Sequence, residues 1–215
     1  MANKKFVIDN VEISTDHPPY VIAEVSANHN GSIENAFKLI QTAKDAGAQA
    51  VKLQTYKPDT MTVNVDSPDF TVKGGLWDGR NLYELYEEAH LPWDWHKPLF
   101  SFAKKIGITI FSTPFDKTAV DLLEDLNVPA YKIASFELTD HNLISYVAQT
   151  KKPMIMSTGL ANSIEIDEAI NVAREGGCSQ LAILHCVSGY PAPHKDYNLK
   201  TITDMSNKFN CTVGL

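Results

Sequence analysis

Seven short apolar runs, separated by stretches with helical periodicity, constrain this chain more than any other feature. The runs are Tyr20–Glu24, Ala50–Gln54, Thr109–Ser112, Ala130–Ala134, Pro153–Ser157, Gln180–His185 and Cys211–Leu215. Between most of them the apolar residues recur every three or four positions, as an amphipathic helix requires. Ile33–Ala46 places Ala36, Phe37, Ile40 and Ala43 on one face, and Asp116–Leu126, Asp140–Thr150 and Ser163–Glu175 repeat the pattern. Leu199–Phe209 repeats it more weakly, and Gly47, Gly107 and Gly176–Gly177 stand where helix C-caps belong. Strands alternating with single helices predict an α/β fold with a parallel sheet and right-handed crossovers. No GxGxxG follows the first run, which argues against dinucleotide binding. The expectation is a TIM-type (β/α)8 barrel, and since such a barrel typically needs about 250 residues, one truncated after about the seventh strand.

Two segments interrupt the rhythm. Residues 1–16, with "KKFVIDNVEIST", alternate like a β-hairpin turning at Asp9-Asn10. Residues 56–93 form a long insertion between the second strand and its helix, and long loops at strand carboxyl ends are commonly lids.

With 19 basic against 26 acidic residues the net charge is -7, so nucleic acid is an unsuitable partner. No apolar run reaches the roughly 20 residues of a membrane span, and the N-terminal stretch lacks a signal-peptide core. Three cysteines, Cys178, Cys186 and Cys211, show neither zinc spacing nor a disulfide framework. A reducing cytoplasm is the expected location.

The strand ends are polar. They carry Glu24; Lys52 and Gln54; Ser112 and Thr113; Lys132, Ser135 and Glu137; Ser157, Thr158 and Gly159; then His185, Ser188 and Tyr190. Carboxyl ends of parallel strands are where ligands bind in such folds. Lysine inside an apolar strand is rarely left without a partner. Lys52 and Lys132 therefore either converge on an anion or pair with carboxylates such as Glu24 and Glu137. The recurring hydroxyls favour the anion, with Ser135, Ser157, Thr113 and the Gly159 N–H as neutral donors. His185 reads equally well as a core histidine, His29 as a residue ordering the first loop, and the cysteines as packing residues.

The motifs "IAE.S.NHNG", "VKLQTY", "STPFD", "YKIAS.E", "MSTG" and "LHC.S.YP" resemble, in order along nearly the whole chain, the sialic acid synthase family. The insertion "GGLWDGRNLYELYEEAHLPWDW" is most similar to its pseudaminic acid synthase branch. The resemblance implies condensation of phosphoenolpyruvate with an N-acetylated amino sugar, giving a nine-carbon nonulosonic acid and phosphate. By the same resemblance Lys52, Thr113, Lys132, Ser135 and Ser157 hold phosphoenolpyruvate, while Glu24, Gln54, Glu137, Ser188 and Tyr190 lie toward the sugar. Glu24, Lys52 and Lys132 are the implied catalytic residues, Glu24 either as base or as orienting group. Ser188 replaces an asparagine of the sialic acid synthases proper, which favours a diacetamido trideoxyhexose over N-acetylmannosamine. The family uses a divalent metal, manganese or magnesium, whose histidine ligands are expected outside this sequence, as is a C-terminal antifreeze-like domain. A homodimer is implied, and the 215-residue chain alone is expected to be inactive. Two other readings fit the residues: a Schiff-base aldolase using Lys132 or Lys52, and a non-catalytic module binding sugar acids or phosphate.

Overall fold

The computed structural model of the chain describes residues 6–189 and 191–215. They form two compact units, one of residues 21–126 and one of residues 6–20 with the described residues of 127–215.

The first unit holds three parallel strands in the order β3 (Ile22–Glu24), β4 (Ala50–Thr55), β5 (Thr109–Pro114). The helix α1 (Ile33–Asp45) follows β3, α4 (Trp93–Ile106) precedes β5, and α5 (Lys117–Asp125) follows it. The second unit begins with the expected hairpin, β1 (Phe6–Ile8) and β2 (Val11–Ile13), paired Phe6 to Ile13 and Ile8 to Val11. Asp9 and Asn10 turn it with φ of 48° and 67°, the left-handed pair that a tight hairpin needs. Residues 1–5 of the expected hairpin segment lie outside the described residues. Val7 N–H donates to Gln180 Oε1 at 2.8 Å, fastening the hairpin below the start of β8 (Leu181–Leu184). In this unit β6 (Tyr131–Ile133), β7 (Met154–Ser157), β8 and β9 (Thr212–Gly214) are parallel neighbours in chain order. They alternate with α6 (His141–Ala148), α7 (Ser163–Glu175) and α8 (Lys200–Lys208). The fold is α/β, with the strand–helix order of the truncated barrel class expected from the apolar rhythm.

Helices start where a short polar side chain follows a strand exit. Ser32 caps α1, Asp116 caps α5 and Asp140 caps α6, each accepting a first-turn N–H. Asn162 and Glu165 form a reciprocal capping box on α7. Gly107 ends α4 at φ 71°, a conformation that costs any side-chain-bearing residue. The insertion of residues 56–93 is itself structured, with α2 (Pro58–Met61), two 3-10 turns and α3 (Leu82–Ala89). Tyr56 roots it: the buried ring meets Tyr86 and Phe115 edge-on, and burial, with the Tyr86 hydroxyl adding, pushes its phenol up to about 12.

Alternation along β4 decides which face does what. Thr55 belongs to the face covered by α4, where Thr55 Oγ1 lies 2.8 Å from His96 Nε2 and 2.7 Å from Ser112 Oγ, all three residues fully buried. His96 Nδ1 lies 3.2 Å and 3.3 Å from the Trp93 and Pro92 carbonyls, so Nδ1 carries the hydrogen and Nε2 accepts from Thr55. Every polar group of this knot has a partner, which is the condition for burying it. Lys52 and Gln54 consequently point to the opposite face.

Burial lowers the His96 pKa to about 4 from 6.5, against smaller opposing contributions from the Pro92 and Trp93 carbonyls. The unfolded chain then binds a proton that the folded chain refuses between those values. Stability is full above pH 6.5 and falls as pH drops, by about 3 kcal/mol at ~1.4 kcal/mol per pH unit. Urea titrations at pH 7 and pH 4.5 should show this loss in the native chain and not in His96→Gln. Thr55→Val should cost about 1–3 kcal/mol at pH 7 by leaving the ring nitrogen unpaired. Equal pH slopes in native and His96→Gln proteins would contradict the buried neutral ring.

Candidate active site

In the first unit three adjacent strands bring their exits together. Parallel register sets Glu24 beside Lys52 and Gln54 beside Thr113, so all four side chains share the face away from α4. Lys52 is 7% exposed and makes an ion pair with Glu24. Its ammonium also donates to Thr113 Oγ1 at 3.1 Å. The free face of Glu24 stays in solvent, its side chain 43% exposed, and one oxygen accepts the Ser26 N–H at 3.1 Å. Ser26 sits at φ 44°, in the left-handed region, and its hydroxyl donates to Gln54 Oε1 at 3.0 Å. The tight turn after β3 thus grips both Glu24 and Gln54. An ammonium has three donors, and Lys52 spends two on Thr113 and Glu24.

The second unit carries its own cluster. Lys132 pairs in register with Ile155, two residues before Ser157, so Lys132 and Ser157 share a sheet face. Ser135 Oγ accepts the Gly159 N–H at 3.2 Å. The Gly159 N–H, expected to face a ligand, is therefore committed to Ser135. Ser157 Oγ lies 3.3 Å from Cys186 Sγ, whose thiol donates to it. Gly159 is required by the approach of β8's exit: a Cβ there would lie 2.5 Å from Ser188 Oγ and 3.1 Å from Cys186 Cβ. That contact places Ser188 against the end of β7. His185 Nε2 donates to the Tyr197 carbonyl at 2.6 Å, tying down the far end of the loop that carries Ser188. Glu137 stands in the 3-10 turn Phe136–Thr139 after β6, with Oε2 buried and without a hydrogen-bond partner. Burial raises its pKa above 4.5, against its own backbone N–H and the Lys132 charge, with Asp140 adding to the rise. Tyr190 lies outside the described residues.

The hydroxyls share one logic. Thr113 Oγ1 accepts a hydrogen bond from Lys52 and Ser135 Oγ accepts one from the Gly159 N–H. Their O–H groups remain to donate, and no protein acceptor takes them among the described residues. Ser157 stands in the same sense behind the weaker Cys186 donor. Such groups suit an incoming anion. Ser112, at the same strand end as Thr113, points the other way into the His96 knot. Ser26 and His96 are the contributors that residue type alone left unassigned; for Ser26 the signal was present, a hydroxyl in a turn directly after Glu24. Among the described residues no group of three His, Cys, Asp or Glu side chains stands close enough to hold a metal ion. No helix among them is long and apolar enough to cross a membrane.

Residues 39–215 match the NeuB family, and the chain belongs to that family. It is 48% identical over 202 residues to the pseudaminic acid synthase of Campylobacter jejuni, covering 94% of this chain and 59% of that one. It is 44% identical over 198 residues to the pseudaminic acid synthase of Helicobacter pylori, covering 92% and 58%. Against solved structures, it superposes on the N-acetylneuraminic acid synthetase of Leptospira borgpetersenii with a TM-score of 0.86 and 27% identity, covering 99% of this chain and 69% of that one. The chain thus spans less than two thirds of the length of the curated relatives it matches. The resemblance read from the strand-end motifs, including its pseudaminic branch, is borne out by these relatives.

The buried Glu137 carboxyl gives a signed prediction. A carboxyl whose folded pKa is raised stabilises the fold fully below its ordinary value of 4.5 and loses that contribution as pH rises through the folded value. Glu137→Gln should therefore gain on the native chain in urea midpoint between pH 4 and pH 7. A constant difference across that range would mean that the side chain is solvated.

Proposed function

We propose that this chain carries the phosphoenolpyruvate-binding part of a nonulosonic acid synthase of the pseudaminic type. The reading rests on one observation above all: hydroxyls at the strand exits that each accept a hydrogen bond from a protein donor and whose O–H groups are left to donate. Family membership and the pseudaminic acid synthases among the relatives support the reaction class.

In the proposed reaction the enol carbon of phosphoenolpyruvate attacks the aldehyde of an open-chain acetamido sugar. Positive charge develops at the former enol ether carbon, water adds there, and the tetrahedral intermediate expels phosphate. By the family resemblance, Lys52 and Thr113 in the first unit, and Lys132, Ser135 and Ser157 in the second, are each assigned to phosphoenolpyruvate and to offsetting charge as phosphate departs. Glu24, held by the Ser26 N–H and by Lys52, faces solvent and takes the proton of the attacking water or orients it. Gln54, Glu137, Ser188 and Tyr190 address the sugar. Ser188, small and backed by Gly159, leaves room at the substrate side for a bulkier acetamido substituent. Among the described residues no group of three His, Cys, Asp or Glu side chains could hold a metal, and the residues above act without one. A cytoplasmic location and a homodimer accompany this reading.

The experiment measures phosphate release from phosphoenolpyruvate with a panel of acetamido hexoses, using the longest natural chain that contains these residues. Sugar-dependent release is expected, and Lys52→Met or Lys132→Met should each lower kcat/KM by about 10²–10³, as expected for lost transition-state charge stabilisation. Condensation with no phosphate released, or an adduct to either lysine trapped by borohydride, would replace this reading with the aldolase. Tight phosphoenolpyruvate binding with no turnover on any sugar would replace it with the binding module.

A further inference from the structure

The histidine of the "NHNG" motif has no part in the chemistry above, yet it is among the most buried polar side chains, 1% exposed. It sits in the loop that leaves β3, two residues before Gly31, whose N–H donates to His29 Nδ1 at 3.1 Å. That bond puts the ring hydrogen of the neutral form on Nε2. Nε2 is buried and has no hydrogen-bond partner. A buried donor without an acceptor is costly and calls for a reason. The ring meets Trp95, in the first turn of α4, edge-to-face at 5.5 Å and 79°. The Ala89 carbonyl, the last residue of α3, stands close enough to act on the ring. Burial lowers its pKa, the Ala89 carbonyl opposes that, and His90 adds to the lowering. Both neighbours flank the end of the insertion.

The insertion is largely tied to itself: Tyr83 to Asp59, Asn81 to the Val65 carbonyl, Arg80 to Glu88. Its tip exposes Leu76 and Trp77. Its root is Tyr56 with Tyr86 and Phe115, and Lys57 over the Trp93 ring at 4.0 Å. His29 meets its returning end, on the loop that also carries Glu24 and Ser26.

We propose that His29 is a positioning residue, the buried peg on which the end of α3 and the start of α4 seat against the β3 exit loop, and that it sets how long the 56–93 insertion stays closed on that loop. The Nε2–H faces the Ala89 carbonyl as the acceptor it takes when the insertion closes further. The consequence for turnover rests on the synthase reading: an insertion that opens more often weakens substrate binding and leaves the chemical step alone.

Amide hydrogen exchange tests the peg. His29→Asn keeps an acceptor for the Gly31 N–H and removes the ring. His29→Phe keeps the ring and removes both nitrogens. Losing the ring contact and the donor should speed exchange of the α3 amides in His29→Asn by about three- to tenfold, with exchange in α1 and β4 unchanged. His29→Phe should fall between native and His29→Asn. In the phosphate-release assay KM for phosphoenolpyruvate should rise by a similar factor while kcat holds. Unchanged α3 exchange in both variants, or faster exchange spread equally over α1 and β4, overturns the proposal. So does faster α3 exchange with KM unmoved. A native protein with no turnover would tell against the synthase reading and leave the exchange comparison to decide the peg.

Discussion

An ammonium inside a β-strand must be compensated on the spot, because its desolvation is not recovered from packing. In the first unit that requirement organises three strands at once. Lys52 on β4 reaches back to Glu24 on β3 and across to Thr113 on β5. The partners come from both neighbouring strands, so the charge is satisfied only in one register. A slip of one residue would turn Lys52 into the helix layer and Leu53 out of it. The opposite face is fixed in the same register by Thr55, Ser112 and the helix-borne His96. Two polar knots, one on each face, at Lys52 and Thr55 of β4 and at Thr113 and Ser112 of β5, leave the sheet no alternative phase.

This two-faced locking explains why neutral hydroxyls serve at the strand exits. A hydroxyl can accept and donate together, so it passes on the polarisation of whatever donates to it. Thr113 stands behind an ammonium and Ser135 behind a backbone N–H. Each presents an oriented donor on a rigid element, with no further buried charge. The overall negative charge of the chain makes that economy matter: cations placed on mobile surface loops would be neutralised by the surrounding carboxylates before an anion reached them.

The elements were legible in the residues because each rests on local signals. Apolar runs bounded by caps and glycines mark strands and helices whatever the tertiary context, and Asp9-Asn10 marks the hairpin for the same reason. The candidate residues were legible as a set, since polar side chains at strand exits are conspicuous against apolar runs. Their partnerships were not. Whether Lys52 pairs with Glu24 depends on the register of two strands 28 positions apart. Whether Ser112 or Thr113 faces Lys52 depends on the phase of β5 against β4. The Gly159 N–H looked available because a glycine after a strand commonly offers its backbone, and only the placement of Ser135 shows it to be spent. His96 lies on the buried stripe of an amphipathic helix, where periodicity cannot tell an apolar contact from a hydrogen-bonded one.

The pairing of Lys52 with Glu24 also bears on the proposed reaction. Two bare ammonium groups would bind phosphate as tightly as phosphoenolpyruvate, and binding shared by substrate and product does not speed the reaction. With Glu24 opposite it, the Lys52 charge is largely compensated before any anion arrives, so in the proposed reaction its remaining donor would count most when negative charge concentrates on the departing group. On the proposed synthase reading the same carboxylate, 43% exposed, would repel a phosphate product beside it. In the proposed reaction, a compensated cation with a neutral hydroxyl beside it, as Lys52 has in Thr113, would favour the charge-separated moment over either end.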